Sequence, residues 1–133
     1  MPPPLTLDVL PELFAVVRLP ADAAVPEWAR GAGALVSVTR TADELSIVCP
    51  EAAVPAALPA QRGFRGLRAR GPLDFSAVGV LASLAGPLAA AAVSLFALST
   101  YDTDYLLVRA ADLERAVAAL AGAGHALAPA AEL

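Results

Sequence analysis

Residues that could perform covalent chemistry are scarce in this sequence. Cys49 is the one cysteine and His125 the one histidine, and all nine basic residues are arginine. A nucleophilic cysteine needs a base beside it, and we interpret Cys49 as a small apolar residue at a strand end. Asp102 and Asp104 form a carboxylate pair, but their loop shows no pocket that would raise a pKa for acid–base catalysis. We therefore expect no enzymatic activity, no metal site and no cofactor.

The charge balance argues against nucleic acid as a partner. The chain has 133 residues, of which 58% are hydrophobic and 17% charged, and its formal net charge is −4. A mildly acidic protein gains nothing from the phosphate field. One basic cluster does occur, which we interpret as a solvated face or as ion pairs with nearby acids; it consists of Arg62, Arg65, Arg68 and Arg70.

The sequence predicts a cytoplasmic protein. A single cysteine allows no internal disulfide, and residues 1–4 lack the basic and apolar regions of a signal peptide. No charge occurs between Asp74 and Asp102, a stretch long enough to span a bilayer. However, it is rich in alanine, and Gly86-Pro87 should break a helix near its middle. We expect no membrane span.

The first half predicts a strand-rich unit with frequent prolines. Apolar runs and alternation predict strands over 5–9, 14–19, 35–40 and 45–49, with Pro11 and Pro20 ending the first two. Residues 41–44 should form a hairpin loop. A helical turn or two is expected at 26–30, and Pro50, Pro55 and Pro59 exclude a long helix before Gln61.

The second half follows a cleaner pattern. Strands are predicted over 64–70, 93–98, 105–108 and 126–128, and a first helix over 77–91, capped by Asp74 or Ser76. Asp112 should cap a second helix whose apolar stripe is Leu113, Ala116, Val117 and Leu120, ended by Gly122 or Gly124. The order β-α-β-β-α-β predicts a four-stranded antiparallel sheet with two helices on one face.

The first half repeats this order in reduced form. Residues 39–48 align without gaps to residues 99–108, which suggests an internal duplication. We therefore predict an α+β protein of two units. Residues 1–60 would form the reduced unit and residues 61–133 the complete one.

Several motifs point to a family. They are Gly71–Ser76, Gly79–Leu84, Pro87–Ala89 and Ser99–Val108, with Ser37–Thr41 and Glu44–Val48 in the first half. These segments resemble the ACT domain, and in particular the bacterial tandem-ACT proteins related to CASTOR-type arginine sensors. The resemblance implies tandem ferredoxin-like units side by side that bind a small molecule, typically an amino acid, at the boundary between units.

The same resemblance implies a ligand site with two sides. Its helix side would be Ser76, Val78, Gly79, Val80 and Leu81, and its hairpin side Thr100, Tyr101, Thr103 and Asp104. One departure concerns the ligand. Ala77 and Val78 stand where the arginine sensors carry an acidic residue before the helix glycine, so the ligand need not be arginine.

The chemistry of such a site suits an amino acid. Its carboxylate could accept free N–H groups at the helix start, which Gly79 lets it approach closely. Its ammonium could donate to Thr100 and Asp104, and Tyr101 could contact the side chain. The same residues are also those that a hairpin turn favours, and Gly79 is equally consistent with helix packing.

Two functions follow from this interpretation. The first is a regulatory sensor, expected to be a homodimer, whose assembly or partner affinity changes when a free amino acid binds. The alternative is a structural homo-oligomerisation module with a vestigial ligand site.

Overall fold

The computed structural model describes residues 3–31 and 33–129. These residues form two compact units: a larger unit of 3–11 with 65–129, and a smaller unit of 12–31 with 33–64. Strands β1 (Thr6–Leu19) and β4 (Gln61–Ala69) each contribute to both. Residues 3–11, which the sequence analysis assigned to the first half, therefore group with the second half of the chain.

The larger unit contains the predicted β-α-β-β-α-β order. It runs through the end of β4, helix α1 (Val80–Ala90), strands β5 (Leu95–Ser99) and β6 (Asp104–Arg109), helix α2 (Leu113–Gly122) and strand β7 (Ala126–Pro129). Strands β5 and β6 are antiparallel neighbours, and β6 lies beside β4.

The sheet of this unit differs from the prediction in one strand. The start of β1 is inserted between β7 and β4, and it runs parallel to β7. Successive carbonyls of a strand point to opposite sides. Accordingly, Leu5 O accepts Ala126 N at 2.9 Å and Thr6 O accepts Arg70 N at 2.7 Å. The prediction of an antiparallel sheet with two helices is confirmed, but its count of four strands is too low, because the start of β1 forms hydrogen bonds on both of its edges here.

Both helices of the larger unit share one core. Its fully buried leucines come from α1 (Leu84, Leu88), from α2 (Leu120) and from the sheet (Leu7, Leu67). Each such side chain contributes about 1.5–3 kcal/mol on burial. The prediction that the two helices pack on one face of the sheet is confirmed.

Two predictions about helix α1 are wrong, one about its N-cap and one about Pro87. Neither Asp74 nor Ser76 caps it; the N-cap is Gly79, with φ of 81° and no side-chain capping bond. Asp74 instead accepts Ser76 N at 2.9 Å, a local turn that competes with helix formation. Pro87 lies inside the helix rather than breaking it.

His125 explains how the proline is tolerated. Proline has no N–H to donate to the carbonyl four residues earlier, which here belongs to Ser83. The buried imidazole of His125 supplies the missing donor, since Nε2 lies 3.1 Å from Ser83 O. Nδ1 accepts the N–H of Leu5 at 3.0 Å. These partners assign the proton to Nε2, because Nδ1 acts as an acceptor.

Strand β1 passes through Pro11 without ending. Thr6–Val9 pairs with β7, and Phe14–Leu19 pairs with β3 (Leu45–Pro50). Pro11 lies between these two stretches and takes part in neither register. The prediction of two separate strands is wrong, because the strand continues from Thr6 to Leu19.

The smaller unit is the strand-rich part that the sequence predicts. Strand β2 (Ser37–Arg40) pairs antiparallel with β3, which pairs antiparallel with the rest of β1. Only two short 3-10 helices occur in its described residues, Glu27–Arg30 and Glu51–Ala53. Cys49 is buried in this core, and burial raises the pKa of its thiol.

The described helices also bear on the membrane question. None of those within residues 3–31 and 33–129 combines the length and the apolar character that crossing a bilayer requires.

Candidate functional site

A cavity of about 220 Å³ lies within the larger unit. One wall is the segment that leads into α1, and the other is the turn between β5 and β6. Its lining consists of Leu73, Asp74, Phe75, Ala77 and Val80 on the first wall, and of Ser99, Thr100, Tyr101, Asp102, Thr103 and Asp104 on the second.

The hairpin wall is held by two threonines. Thr100 N donates to Thr103 O at 2.8 Å, and Thr103 N donates to Thr100 Oγ1 at 3.3 Å. The buried hydroxyl of Thr103 then donates to Ala69 O at 2.6 Å. The turn is therefore fixed to the end of β4 rather than free in solvent.

A backbone bond joins the two walls. Leu73 N donates to Asp102 O at 2.7 Å. Gly71 permits this approach, because a Cβ there would lie 3.0 Å from Leu73 N and 3.1 Å from Asp102 O. Both atoms belong to the backbone and cannot rotate away, so a side chain at position 71 would push the walls apart.

The helix wall ends at an uncapped helix start. Gly79 provides no side chain to bond the first N–H groups of α1, and Val80, the first residue of the helix, lines the cavity. Such N–H groups carry the positive end of the helix dipole. They are suited to a negatively charged or carbonyl group of a ligand.

The two walls also contact each other through a pair of aromatic side chains. Phe75 from one wall and Tyr101 from the other have ring centroids 5.4 Å apart with a 37° angle between their planes. Their exposed fractions are 76% and 82%. Two rings this exposed offer apolar contact to a ligand or to another protein surface.

The polar part of the lining is negative. Asp74, Asp102 and Asp104 are all among the lining residues, and neither arginine nor histidine is. Ser99 Oγ donates to Asp104 Oδ1. The cavity therefore presents mainly acceptors, which suit an ammonium or another donor group of a ligand.

Two family models match successive parts of the chain. An ACT domain family model matches residues 59–122, and a second family model, for an N-terminal domain, matches residues 12–57. Protein Atu0741 from Agobacterium tumefaciens is 39% identical, with 98% of this chain and 97% of that chain covered and a TM-score of 0.90. Residues 59–122 therefore match an ACT domain, and the chain as a whole belongs to the same family as protein Atu0741.

Two more distant structures share the fold. VC0802 from Vibrio cholerae, a protein of unknown function described as a possible transport protein, is 18% identical over 91% of both chains, with a TM-score of 0.74. The aspartate kinase of Clostridium acetobutylicum, an allosteric enzyme, is 12% identical over 84% of this chain and 33% of that one, with a TM-score of 0.62. No curated protein matched.

The ACT-domain structure brings together five of the nine residues predicted for the site. Val80, Thr100, Tyr101, Thr103 and Asp104 line the cavity. Ser76, Val78, Gly79 and Leu81 are exposed and lie outside its lining. The helix begins three residues later than the predicted Ala77, so Ser76, Val78 and Gly79 belong to the exposed segment that precedes it.

Sequence reasoning missed the other six lining residues. These are Leu73, Asp74, Phe75, Ala77, Ser99 and Asp102. The sequence analysis assigns Asp74 to a helix cap and Asp102 to a carboxylate pair without a pocket. Phe75 was the available signal, because an aromatic residue in a polar loop seldom lacks a packing partner.

A second cavity, of about 310 Å³, is lined by the same turn and by the end of β4. Arg68 and Arg70 line it, and both bind the buried carboxylate of Asp8, at 3.0 Å and 2.5 Å. The hydrogen bond from Arg70 is the main cause of the lowered pKa of Asp8. For these two arginines, the basic cluster of the sequence is thus an ion-pair network.

The described residues contain no metal site. Within residues 3–31 and 33–129, no group of three or more histidine, cysteine, aspartate or glutamate side chains is placed to hold an ion.

Proposed function

We propose that this ACT-domain protein is a non-catalytic regulator that binds a free amino acid in the 220 Å³ cavity. The observation that carries the proposal is that the two walls of the cavity have opposite electrostatic character. An uncapped helix start lies on one wall and a carboxylate-rich turn on the other, and the Leu73–Asp102 bond joins the two. A zwitterion carries the two groups that such walls would bind.

We infer the binding mode from the hydrogen-bonding groups that each wall offers to a ligand. The ligand carboxylate would accept N–H groups at the start of α1. The ammonium would donate to Asp104, whose Oδ1 already accepts Ser99 Oγ. Tyr101 and Phe75 would contact the ligand side chain and so select its size.

Regulation would act through assembly. We propose a cytoplasmic homodimer with ACT units side by side, in the tandem arrangement of the CASTOR-type sensors, in which ligand binding favours one arrangement of the subunits. Such coupling requires the ligand to bind the two arrangements with different affinities. The allosteric aspartate kinase that shares this fold supports a regulatory role.

A thermal-shift screen of the twenty amino acids tests the proposal. At about ten times the dissociation constant, a true ligand should raise the melting temperature by about 3–5 °C. Asp104→Ala should abolish this shift, whereas Asp43→Ala, which removes an exposed turn carboxylate from the smaller unit, should retain it. Native mass spectrometry of the purified protein would identify a ligand that copurifies.

Two outcomes would contradict the proposal in different ways. If Asp104→Ala keeps the full shift, the ligand binds elsewhere. If no amino acid shifts the melting temperature and no small molecule copurifies, the sensor function itself is wrong.

One observation favours the alternative of a structural oligomerisation module. Phe75, Val78 and Tyr101 are 76%, 86% and 82% exposed, which is costly unless another protein covers them. In that case Val78→Asp should convert a stable, ligand-independent dimer into a monomer in sedimentation analysis. A dimer that persists in this variant would remove the support for the alternative.

A further inference from the structure

The two hairpins of the chain are built in the same way. In the hairpin of β2 and β3, Thr41 N donates to Glu44 O at 2.9 Å and Thr41 Oγ1 accepts Glu44 N at 3.1 Å. Thr100 and Thr103 make the same pair of bonds in the hairpin of β5 and β6. Thr41 therefore corresponds to Thr100.

The cores of the two units support this correspondence. Ile47 and Cys49 of β3 are buried in the core of the smaller unit, and Leu106 and Val108 of β6 in that of the larger unit. Both pairs have the same spacing from their turn threonines. The hairpins thus match in turn and in strand face.

Arg40 and Ser99 then occupy the same position. Arg40 pairs with Leu45 across its hairpin, and Ser99 pairs with Asp104 across the other, each just before the turn threonine. Ser99 is short, bonds within its own hairpin and lines the open cavity. Arg40 is long enough to leave its hairpin.

The side chain of Arg40 reaches the segment that precedes the first helix of its unit. Its guanidinium donates from one terminal nitrogen to Ala21 O and from the other to Ala23 O, the second at 2.8 Å. A turn bond from Ala23 N to Pro20 O, 3.0 Å long, holds these carbonyls in place. In the larger unit, the corresponding gap between hairpin and helix-leading segment is the 220 Å³ cavity.

We propose that the smaller unit contains a cation site, formed by the Ala21 and Ala23 carbonyls and the hairpin, which Arg40 occupies as a tethered ligand. Both acceptors are carbonyl oxygens, so the occupant must donate and an anion is excluded. A planar group with two N–H donors in a fork fits best. Shortening Arg40 to serine, the residue of the open hairpin, frees the site for a guanidinium compound.

This inference predicts that the site in the smaller unit is closed to added compounds in the wild-type chain and open after the substitution. It concerns the smaller unit and is independent of what binds in the larger one. Its failure would therefore leave the proposed amino-acid site untouched, and the reverse also holds.

Chemical rescue tests the site directly. We expect Arg40→Ser to lower the melting temperature, and methylguanidinium at about ten times its dissociation constant to restore about 3–5 °C of it. Arg18→Ser is the matched control, because Arg18 also donates to a backbone carbonyl but only to one, that of Asp43 at 2.9 Å. Sodium chloride at equal ionic strength controls for screening, and a crystal soaked with methylguanidinium should show it on the two carbonyls.

Two results would overturn the inference. One is rescue of Arg40→Ser no greater than that of Arg18→Ser or of the wild type. The other is an Arg40→Ser variant as stable as the wild type. If Arg40→Ser does not fold, Arg40→Lys serves instead: it retains a cation but loses the fork, and it should be left partly destabilised and resistant to rescue. Full stability of Arg40→Lys would contradict the requirement for a planar donor.

Discussion

The bond between His125 and the helix carbonyl left free by Pro87 gives a sharp prediction. His125→Ala removes the donor to Ser83 O and the acceptor of Leu5 N–H at once. It also empties the volume of a ring that is 7% exposed. We expect this single substitution to be among the more destabilising ones in the larger unit.

The size of the destabilisation follows from the two backbone groups, Leu5 N–H and Ser83 O, that His125→Ala leaves without a hydrogen-bond partner. Each buried group without a partner costs about 1–3 kcal/mol, and both bonds here are partly buried. Water can therefore reach part of the vacated space and lower the cost. We expect a total loss of about 2–4 kcal/mol in the free energy of unfolding.

A double-mutant cycle with Pro87→Ala isolates the proposed cause. This substitution restores a backbone N–H at position 87 that can donate to Ser83 O within the helix, so the carbonyl would no longer depend on His125. The loss caused by His125→Ala should then be smaller by about 1 kcal/mol in the Pro87→Ala background. Urea denaturation at one pH measures all four free energies.

The cycle has a clear refuting result. If the two substitutions are additive within about 0.3–0.5 kcal/mol, His125 does not compensate for the proline. Gly86→Ala is the matched background, because it changes the neighbouring helix position without restoring a donor, and nothing lies within 4 Å of a Cβ there. Coupling of the same size in that background would also reject the explanation.

Three further substitutions test the packing around the cavity and the ion pair behind it. Arg70 lowers the pKa of Asp8, so this stabilisation is present above the unfolded-state pKa and is lost as the pH falls through the lower folded-state pKa. Asp8→Asn should thus cost about 1–3 kcal/mol at neutral pH and less in acid, measured by urea unfolding; an equal cost at both would contradict the ion pair. Thr103→Val should cost about 1–2 kcal/mol by losing the bond to Ala69 O, and it should weaken ligand binding by loosening the turn; unchanged stability would refute that role. Gly71→Ala should destabilise by about 1–3 kcal/mol in thermal unfolding, since its Cβ meets two backbone atoms, and a neutral result would show that the walls can separate freely.

The elements were predictable wherever periodicity was strong. The second helix, the 41–44 hairpin loop and the last strand all lie where the sequence analysis put them. Two of the errors came from prolines, because the effect of a proline depends on tertiary contacts that the sequence does not show. Pro11 lies inside strand β1, between its pairings with β7 and β3, and at Pro87 a distant histidine, His125, supplies the missing donor.

The candidate site was predictable on its hairpin side and less so on its helix side. The turn from Thr100 to Asp104 is local in sequence, and its residue types favour a hairpin turn. The other wall depends on where α1 begins, which is set by the Asp74–Ser76 turn and the positive φ of Gly79. The insertion of β1 has no local signal, because it depends on tertiary contacts. An aromatic residue at position 75 indicates a packing partner, but only the tertiary structure identifies that partner as Tyr101.

The suggested internal duplication shows how an alignment error of one residue changes which residues of the two hairpins correspond. The gapless alignment of residues 39–48 with 99–108 pairs Thr41 with Tyr101, whereas the turn bonds pair Thr41 with Thr100. A shift of one residue moves every side chain of a strand to the opposite face. The alignment matched the valines at 48 and 108. However, Val108 is buried in the core of the larger unit, and the residue at the equivalent position in the core of the smaller unit is Cys49. Only in the corrected register does Arg40 stand where Ser99 does, and a filled position in one unit then corresponds to an open one in the other.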